Sequence, residues 1–258
     1  MQKSFKILNA VALVATIVVS YLSNTGVFNG ETMATVSARY QNLFTPAGYA
    51  FSIWGLIYLS LLGFVIYYGP LVKSSPAKDN TILQIEWWFI ISCVCNSLWV
   101  ITWLYDYVLL TIPIMVVLFI ALLKIIVNTK MAFQKTTIAT NVFLKLPFYI
   151  YSGWVSVALV ANIAAFLKKI QWNGFGISET SWAIIMFIAT AAIHLFMIYK
   201  RNMPAFGIVA VWALIAIAVA NKEVNNTVYL GAIIFAAFIL VNILIQFFKT
   251  KKFSLNEK

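Results

Sequence analysis

Eight long apolar runs dominate this chain, and they constrain its fold more than any other feature. Each has roughly the length that an α-helix needs to cross a bilayer. Backbone inside lipid must satisfy its own hydrogen bonds, which favours helices. Only 10% of the residues are charged, whereas soluble domains have about one quarter. We therefore predict an all-α polytopic membrane protein with eight transmembrane helices. The predicted spans are residues 5–23, 46–68, 82–103, 107–127, 146–167, 181–199, 204–220 and 227–248.

The positive charges lie mainly in the loops that eight spans would place on the same side as both termini. That side holds fourteen of the 18 Lys and Arg residues, including Lys135 and Lys258, and the other side holds four. Because cytoplasmic loops are rich in Lys and Arg, we expect both termini in the cytoplasm, most simply across a bacterial inner membrane. A seven-span alternative would leave run 204–220 outside the bilayer and move the tail lysines outward. The net charge of +11 therefore indicates a lipid bilayer as partner, and no nucleic acid.

The N-terminal run could also be a signal peptide, since Lys3 and Lys6 precede it. No cleavage pattern of small residues follows at the right distance. We therefore interpret this run as a retained first span.

The spans carry little of the chemistry that most membrane functions need. No Asp, Glu, Lys or Arg lies in the middle of a span, which argues against ion-coupled transport, voltage sensing and retinal binding. Nucleotide, metalloprotease and serine-hydrolase motifs are missing. Cys93 and Cys95 point in different directions on a helix, and the single His194 is best explained as a buried, hydrogen-bonded residue. We predict no catalytic residue, no metal site and no required cofactor.

The stretch FTPAGYAFSIWGLIY, residues 44–58, is unusual for a simple span. Pro46 is expected to open the helix, where its missing N–H is harmless. Small and aromatic residues then recur three or four apart, on one helix face. Flat rings beside gaps suit either helix contact or a planar apolar ligand. The small residues alone could instead form a homodimer surface: Gly48, Gly55 and Gly63.

The loop before this stretch, residues 24–45, contains an amphipathic segment. Met33, Val36, Tyr40 and Phe44 follow helical spacing. The segment could be a helix lying on the membrane surface or a lid over the bundle, and these alternatives are not exclusive.

Asparagine and tryptophan residues within the spans are the remaining candidates for a site. Asn96 and Asn162 each need a partner inside a bundle, either another helix or a ligand. Deeper tryptophans could line a pocket: Trp54, Trp99 and Trp154. Tryptophans near the span ends fit an aromatic belt: Trp87, Trp88, Trp103 and Trp172.

Three separated stretches resemble the TspO/MBR family, the tryptophan-rich sensory proteins related to the translocator protein. FTPAGYAFSIWGLIYL is similar to the start of the family's second helix, CNSLWVITW to its third, and WVSVALVAN to its fifth. Two features depart from the family pattern: Pro147 lies seven residues before Trp154 and is followed by Phe148, and a second proline near Pro46 is missing.

The resemblance implies a five-helix bundle over residues 1–167, whose outer loop, 24–45, covers a ligand site. Residues 168–258 would add three transmembrane helices and a basic tail. The family implies porphyrins or other flat hydrophobic molecules as ligands. The residues expected at the ligand are Tyr40, Phe44, Pro46, Phe51, Trp54, Tyr58, Asn96, Trp99, Trp154, Ala158 and Asn162.

Three functions are compatible with this bundle. The first is a membrane receptor or binding protein, of sensory type, for a planar hydrophobic ligand such as a tetrapyrrole. The second is a transporter of lipophilic small molecules, with the last three helices as a moving part. The third is a membrane enzyme that modifies or photodegrades its bound ligand.

Overall fold

The computed structural model describes residues 2–131 and 136–256, and every regular element in these ranges is helical. A 3₁₀ turn, Gly48–Ser52, precedes α3, and a π-helical turn, Asn141–Lys145, joins α7 to α8. Lys135 and Lys258, two of the lysines in the charge count, lie outside the described residues. The α-helices are α1 Gln2–Leu22, α2 Met33–Arg39, α3 Ile53–Tyr68, α4 Pro76–Ile85, α5 Trp88–Leu104, α6 Val108–Asn128, α7 Ile138–Thr140, α8 Leu146–Lys169, α9 Glu179–Arg201, α10 Pro204–Asn221 and α11 Asn226–Asn256.

Seven stretches of helix in the described residues are long and apolar enough to cross a membrane, and a bent pair, α4 with α5, can supply an eighth. This confirms an all-α polytopic membrane protein. The single helix predicted over residues 82–103 is wrong in one respect: its first turn belongs to α4, and α4 and α5 meet at a bend of 50°. The break falls at Glu86, whose φ of 53° lies outside the helical region.

The second span also begins differently from the prediction. Pro46 lies ahead of the 3₁₀ turn, in chain without regular secondary structure, and regular α-helix starts only at Ile53. The adjacent Ala47 N–H donates to the carbonyl of Ala216, at 3.0 Å. This backbone hydrogen bond joins the chain at Ala47 to α10, and the regular α-helix begins only after it.

The chain divides into two compact units. The first contains the residues up to Tyr40 together with Ser52–Val155, and the second contains Gln41–Phe51 and the residues from Ser156 on. The division passes through α8, so this helix contributes to both units. The sequence division at residue 167 follows a family resemblance and stays a prediction.

The first unit is tied together at both ends of its helices. Lys6, near the start of α1, donates to Asp79 at the start of α4, with 2.6 Å between Nζ and Oδ1. After the other end of α1, the Asn29 amide donates to the carbonyl of Leu104 at 3.2 Å. α1 therefore runs in the same direction as the bent pair α4–α5, as the first and third of a series of alternating membrane spans should.

The second unit is built on α9, α10 and α11. α11 packs so closely that a Cβ at Gly231 would lie 2.8 Å from Ile184 Cδ1 of α9. The short segment 41–51 lies along α10. The Asn221 amide donates to the Leu43 carbonyl at 3.1 Å, and the Trp212 indole donates to the Ala50 carbonyl at 3.3 Å.

Candidate functional site

Aromatic side chains of three spans meet in the first unit around Trp54. We call this group the aromatic cluster: Trp54, Tyr58, Trp99, Tyr151 and Trp154. Ring centroids lie 5.6–6.4 Å from that of Trp54, and Tyr58 stacks on Trp54 at an interplanar angle of 21°. These are the offset and edge-to-face geometries that aromatic pairs prefer. The spacing of Trp54 and Tyr58 in the sequence, four residues apart on one helix face, therefore does produce a wall of rings.

A buried polar chain crosses the aromatic cluster. The Tyr58 hydroxyl donates to Asn96 Oδ1 at 3.2 Å, and Asn96 Nδ2 donates to the Tyr151 hydroxyl at 2.9 Å. Asn96 is only 1% exposed, so leaving its amide without partners would cost free energy. Its amide instead joins α3, α5 and α8, and the helix-contact alternative for this residue is therefore confirmed.

The aromatic cluster offers stacking surface and no acid–base chemistry. Trp99, Tyr151 and Trp154 are buried, whereas Trp54 and Tyr58 are half-buried. The ring faces of α3 are therefore the accessible part of the cluster. Such a surface can stack on a flat apolar molecule and offer it one polar group, but none of its side chains is charged at neutral pH.

Five of the eleven predicted site residues lie in this cluster or its polar chain: Trp54, Tyr58, Asn96, Trp99 and Trp154. Tyr40 belongs to the same unit, and its hydroxyl donates to Asp106 Oδ1 at 2.6 Å. Tyr151 was missed by sequence reasoning, although its position three residues before Trp154 puts it on the same helix face.

The other predicted site residues belong to the second unit: Phe44, Pro46, Phe51, Ala158 and Asn162. Phe44 is fully buried against Phe187 of α9, with 5.7 Å between ring centroids. Asn162 is buried and Ala158 is partly exposed. Their predicted role toward a ligand stays a prediction.

The residues that sequence reasoning assigned to structural roles are indeed buried. His194 donates through Nδ1 to the Thr190 carbonyl at 2.8 Å and lies 3.4 Å from the Ser156 hydroxyl, which confirms a hydrogen-bonded core histidine. Cys93 and Cys95 are both buried and free. Within the described ranges, no three His, Cys, Asp or Glu side chains come together in a way that could hold a metal ion.

The helices and the aromatic cluster define the class of this molecule: a polytopic α-helical membrane protein with a tryptophan-rich interior. Within that class, the chain belongs to the family described as TSPO-like protein, whose sequence model matches residues 6–245. The match includes α9 and α10 and most of α11, so these helices also lie within the family's sequence pattern. Neither a curated protein nor a solved structure matches the chain.

Proposed function

We propose that this TSPO-like membrane protein is a receptor or binding protein for a flat hydrophobic molecule, such as a porphyrin or another tetrapyrrole. The observation that carries the proposal is the half-buried Trp54, surrounded by four aromatic rings in the middle of an apolar helix bundle. A planar ligand stacked on this surface would lose water and gain ring contacts, each worth about 0.5–1.5 kcal/mol beyond area burial.

The polar chain through Asn96 supports a role in orienting the ligand. A small-molecule site typically has apolar walls and a few polar groups at fixed positions. The Tyr58 hydroxyl stands at the half-buried end of this chain, where a ligand oxygen or nitrogen could replace Asn96 as its partner. The absence of charged groups from the cluster favours binding over proton-coupled chemistry.

A porphyrin titration tests this function. Protoporphyrin added to the purified full chain in a nonionic detergent should quench tryptophan fluorescence saturably. Trp54→Ala should weaken binding about tenfold, because it removes accessible stacking surface worth about 1.4 kcal/mol. Trp154→Ala should weaken binding by a similar factor, because the buried Trp154 ring packs against Trp54 and holds it in position. Trp154→Phe keeps a ring and should bind within about threefold of the parent.

The control is Trp172→Ala, a tryptophan of the second unit, which should leave the porphyrin affinity unchanged. Quenching that never saturates and matches that of empty micelles would contradict the proposal. Equal weakening by Trp172→Ala would move the site away from the aromatic cluster.

A further inference from the structure

The second unit contains a cleft that shares no residue with the aromatic cluster. It has a volume of about 410 Å³, within the range of small-molecule sites. The end of α8, the loop after it, the start of α9 and residues Asn42 and Leu43 form its walls. Its size, its surface and its charge balance each restrict what it can bind.

The floor of the cleft is short and aliphatic. Val160, Ala164 and Leu167 lie four and then three residues apart, so they form one stripe along α8. At 1.5 Å per residue this stripe is about 10 Å long. Two fused six-membered rings with a substituent match this length, whereas an extended lipid chain is longer and a tetrapyrrole is broader than one helix face. The floor therefore favours a compact molecule.

Two half-buried tryptophans give the cleft an aromatic wall. The ring centroids of Trp172 and Trp182 lie 5.1 Å apart, at an interplanar angle of 55°. The Trp182 indole N–H donates to the Gly174 carbonyl at 2.9 Å, which fixes this ring and leaves its π surface for a ligand. Aromatic rings pair well with such surfaces in offset or edge-to-face geometry. The wall therefore favours a flat aromatic molecule.

The wall formed by Asn42 and Leu43 is also held in place by hydrogen bonds. The Asn221 amide donates to the Leu43 carbonyl at 3.1 Å, and Asn42 Oδ1 accepts the backbone N–H of Phe44 at 2.9 Å. The cleft is therefore preformed, and a ligand loses little free energy to the ordering of its walls.

The charges that line the cleft balance each other. Of the described residues, only Lys168 and Glu179 bring charge to the lining, and their Nζ and Oε1 atoms lie 2.9 Å apart. An anion on Lys168 would lie close to the Glu179 carboxylate, and a cation on Glu179 close to the Lys168 ammonium. Neither sign of charge gains a net attraction that offsets its loss of water. The cleft therefore favours an uncharged ligand.

The lining also offers one directed hydrogen-bond donor. Asn173 Oδ1 accepts the backbone N–H of Phe175 at 3.1 Å, which assigns the other amide position to nitrogen. The Asn173 side chain is exposed and lines the cleft, so its amide N–H can donate to a ligand carbonyl in place of water.

We propose that this cleft binds a compact, uncharged aromatic carbonyl compound of two fused rings. The rings lie between the α8 stripe and the two tryptophans, and the carbonyl accepts from the Asn173 amide. This site does not depend on the tetrapyrrole proposal, because the two sites share no residue.

The uncharged fluorescent ketone acetyl(dimethylamino)naphthalene provides the test, because it accepts excitation energy from tryptophan. Titrated into the full chain in nonionic detergent, it should give energy transfer that saturates. Trp172→Ala and Ala164→Phe should each raise its dissociation constant at least about tenfold, since the first removes a wall and the second fills the cleft. Ile185→Phe is the matched control. It lies on α9 outside the cleft, with 42% of its side chain exposed, and should change the constant by less than about twofold.

The thermal unfolding midpoint of each variant without ligand shows whether it folds. Ala164 is buried, so Val160→Phe, at a half-buried position of the same stripe, repeats the test with less risk to the fold. It should weaken binding of the ketone in the same direction.

Two analogues of the ketone test the charge balance and the carbonyl. Dimethylaminonaphthoate, which is anionic, should bind at least about tenfold more weakly, and Glu179→Gln should narrow this difference about fivefold by exposing Lys168 to the carboxylate. Ethyl(dimethylamino)naphthalene, which has no carbonyl, should bind about fivefold more weakly than the ketone. Asn173→Asp keeps the acceptor for Phe175 and removes the donor, so it should abolish the preference for the ketone over the ethyl compound.

Three results would overturn the proposal. The first is energy transfer that rises linearly, the behaviour of a probe dissolved in the micelle. The second is tighter binding of the naphthoate than of the ketone. The third is weakening by Trp54→Ala without weakening by Trp172→Ala, which would place the ketone on the aromatic cluster. The porphyrin titration measures that cluster separately, so failure of one proposal leaves the other standing.

Discussion

Glu86 has the least favourable backbone of the residues between α4 and α5. Its φ of 53° and ψ of −136° suit glycine, whereas its side chain is exposed. We expect Glu86→Gly to stabilise the protein by about 1 kcal/mol, because relief of strain exceeds the added freedom of the unfolded chain. The apparent midpoint of thermal unfolding in detergent should rise.

The control for this substitution is Glu86→Ala, which keeps a Cβ and therefore the strain. Its unfolding midpoint should stay within experimental error of the parent. If glycine and alanine lower the midpoint equally, the Glu86 side chain contributes more than its backbone conformation costs.

Gly174 and Gly176 form a matched pair in the loop after α8. Both have positive φ, 67° and 77°, but only a Cβ at Gly174 would meet a neighbour, the Trp182 indole nitrogen at 3.0 Å. Gly176→Ala should therefore cost about 1 kcal/mol of local stability through backbone strain, and Gly174→Ala about 2 kcal/mol. Hydrogen exchange of the loop amides measures both.

The emission of Trp182 separates the two effects. The emission wavelength should shift in Gly174→Ala, where the Trp182 indole loses its hydrogen bond to the carbonyl of residue 174, and should stay the same in Gly176→Ala. A shift of equal size in both variants would show that loop strain alone moves the ring.

At the residue scale, the sequence predicted those side-chain environments that depend on the position of a residue on a single helix. Trp54 and Tyr58 were found by their spacing, and His194 by its isolation in an apolar run. The partners of Asn96 were not predictable, because Tyr58 and Tyr151 belong to different spans and their meeting depends on how the spans pack. A single sequence has no signal for such contacts.

At the element scale, the apolar runs predicted five of the eight spans to within three residues at each end. The start of α3, the start of α4 and the end of α11 differ from the prediction by seven, six and eight residues. The breaks in the helices were missed for an identifiable reason. The sequence ILQIEWWF, which crosses the bend between α4 and α5, contains no Pro or Gly, the usual causes of a kink. The late start of α3 was missed because the bond from Ala47 to Ala216 links residues far apart in the chain.

The surface helix α2 offers a prediction about pH. The Thr35 hydroxyl, hydrogen-bonded to the Glu31 carboxylate at 2.6 Å, lowers the pKa of Glu31, and the Arg39 guanidinium lowers it further. Partial desolvation and the negative charge of Asp106 oppose this shift without cancelling it. Since the folded pKa is depressed, the contribution of Glu31 is present above its ordinary pKa and is lost as pH falls through the lowered value.

Amide exchange in α2, corrected for its intrinsic pH dependence, should therefore become faster at acid pH. Glu31→Gln should remove this step, because it cannot titrate. Unchanged protection of α2 across the acid range in the parent protein would show that its N-cap, Thr32, holds the helix without Glu31.

At the scale of the whole molecule, the family match covers nearly the whole chain as one pattern, whereas the contacts divide the chain into two compact units. The family pattern runs from residue 6 to residue 245, whereas contacts separate the chain within α8. A sequence can predict spans one at a time from hydropathy. It cannot predict that segment 41–51 packs on α10. This packing depends on hydrogen bonds from Trp212 and Asn221, which lie more than 160 residues later in the chain.

Membrane orientation is the remaining prediction for the whole chain. If the bent pair α4–α5 counts as one span, eight spans place both termini on the side with most Lys and Arg, which we expect to be cytoplasmic. Four strongly exposed residues outside the apolar centres of the spans indicate the side of the membrane: Leu71, Ile138, Phe175 and Val224. Each can be replaced by Cys in a background with Cys93→Ala and Cys95→Ala.

A membrane-impermeant maleimide applied to intact cells should label Phe175→Cys and Val224→Cys at once, but Leu71→Cys and Ile138→Cys only after permeabilisation. The exact reverse would mean an inverted protein. If the bent pair instead enters and leaves the membrane on one side, Leu71→Cys stays protected while Ile138→Cys becomes accessible and the two later positions become protected. Because each arrangement gives its own pattern over these four sites, the labelling distinguishes eight spans from seven as well as fixing the direction of the chain.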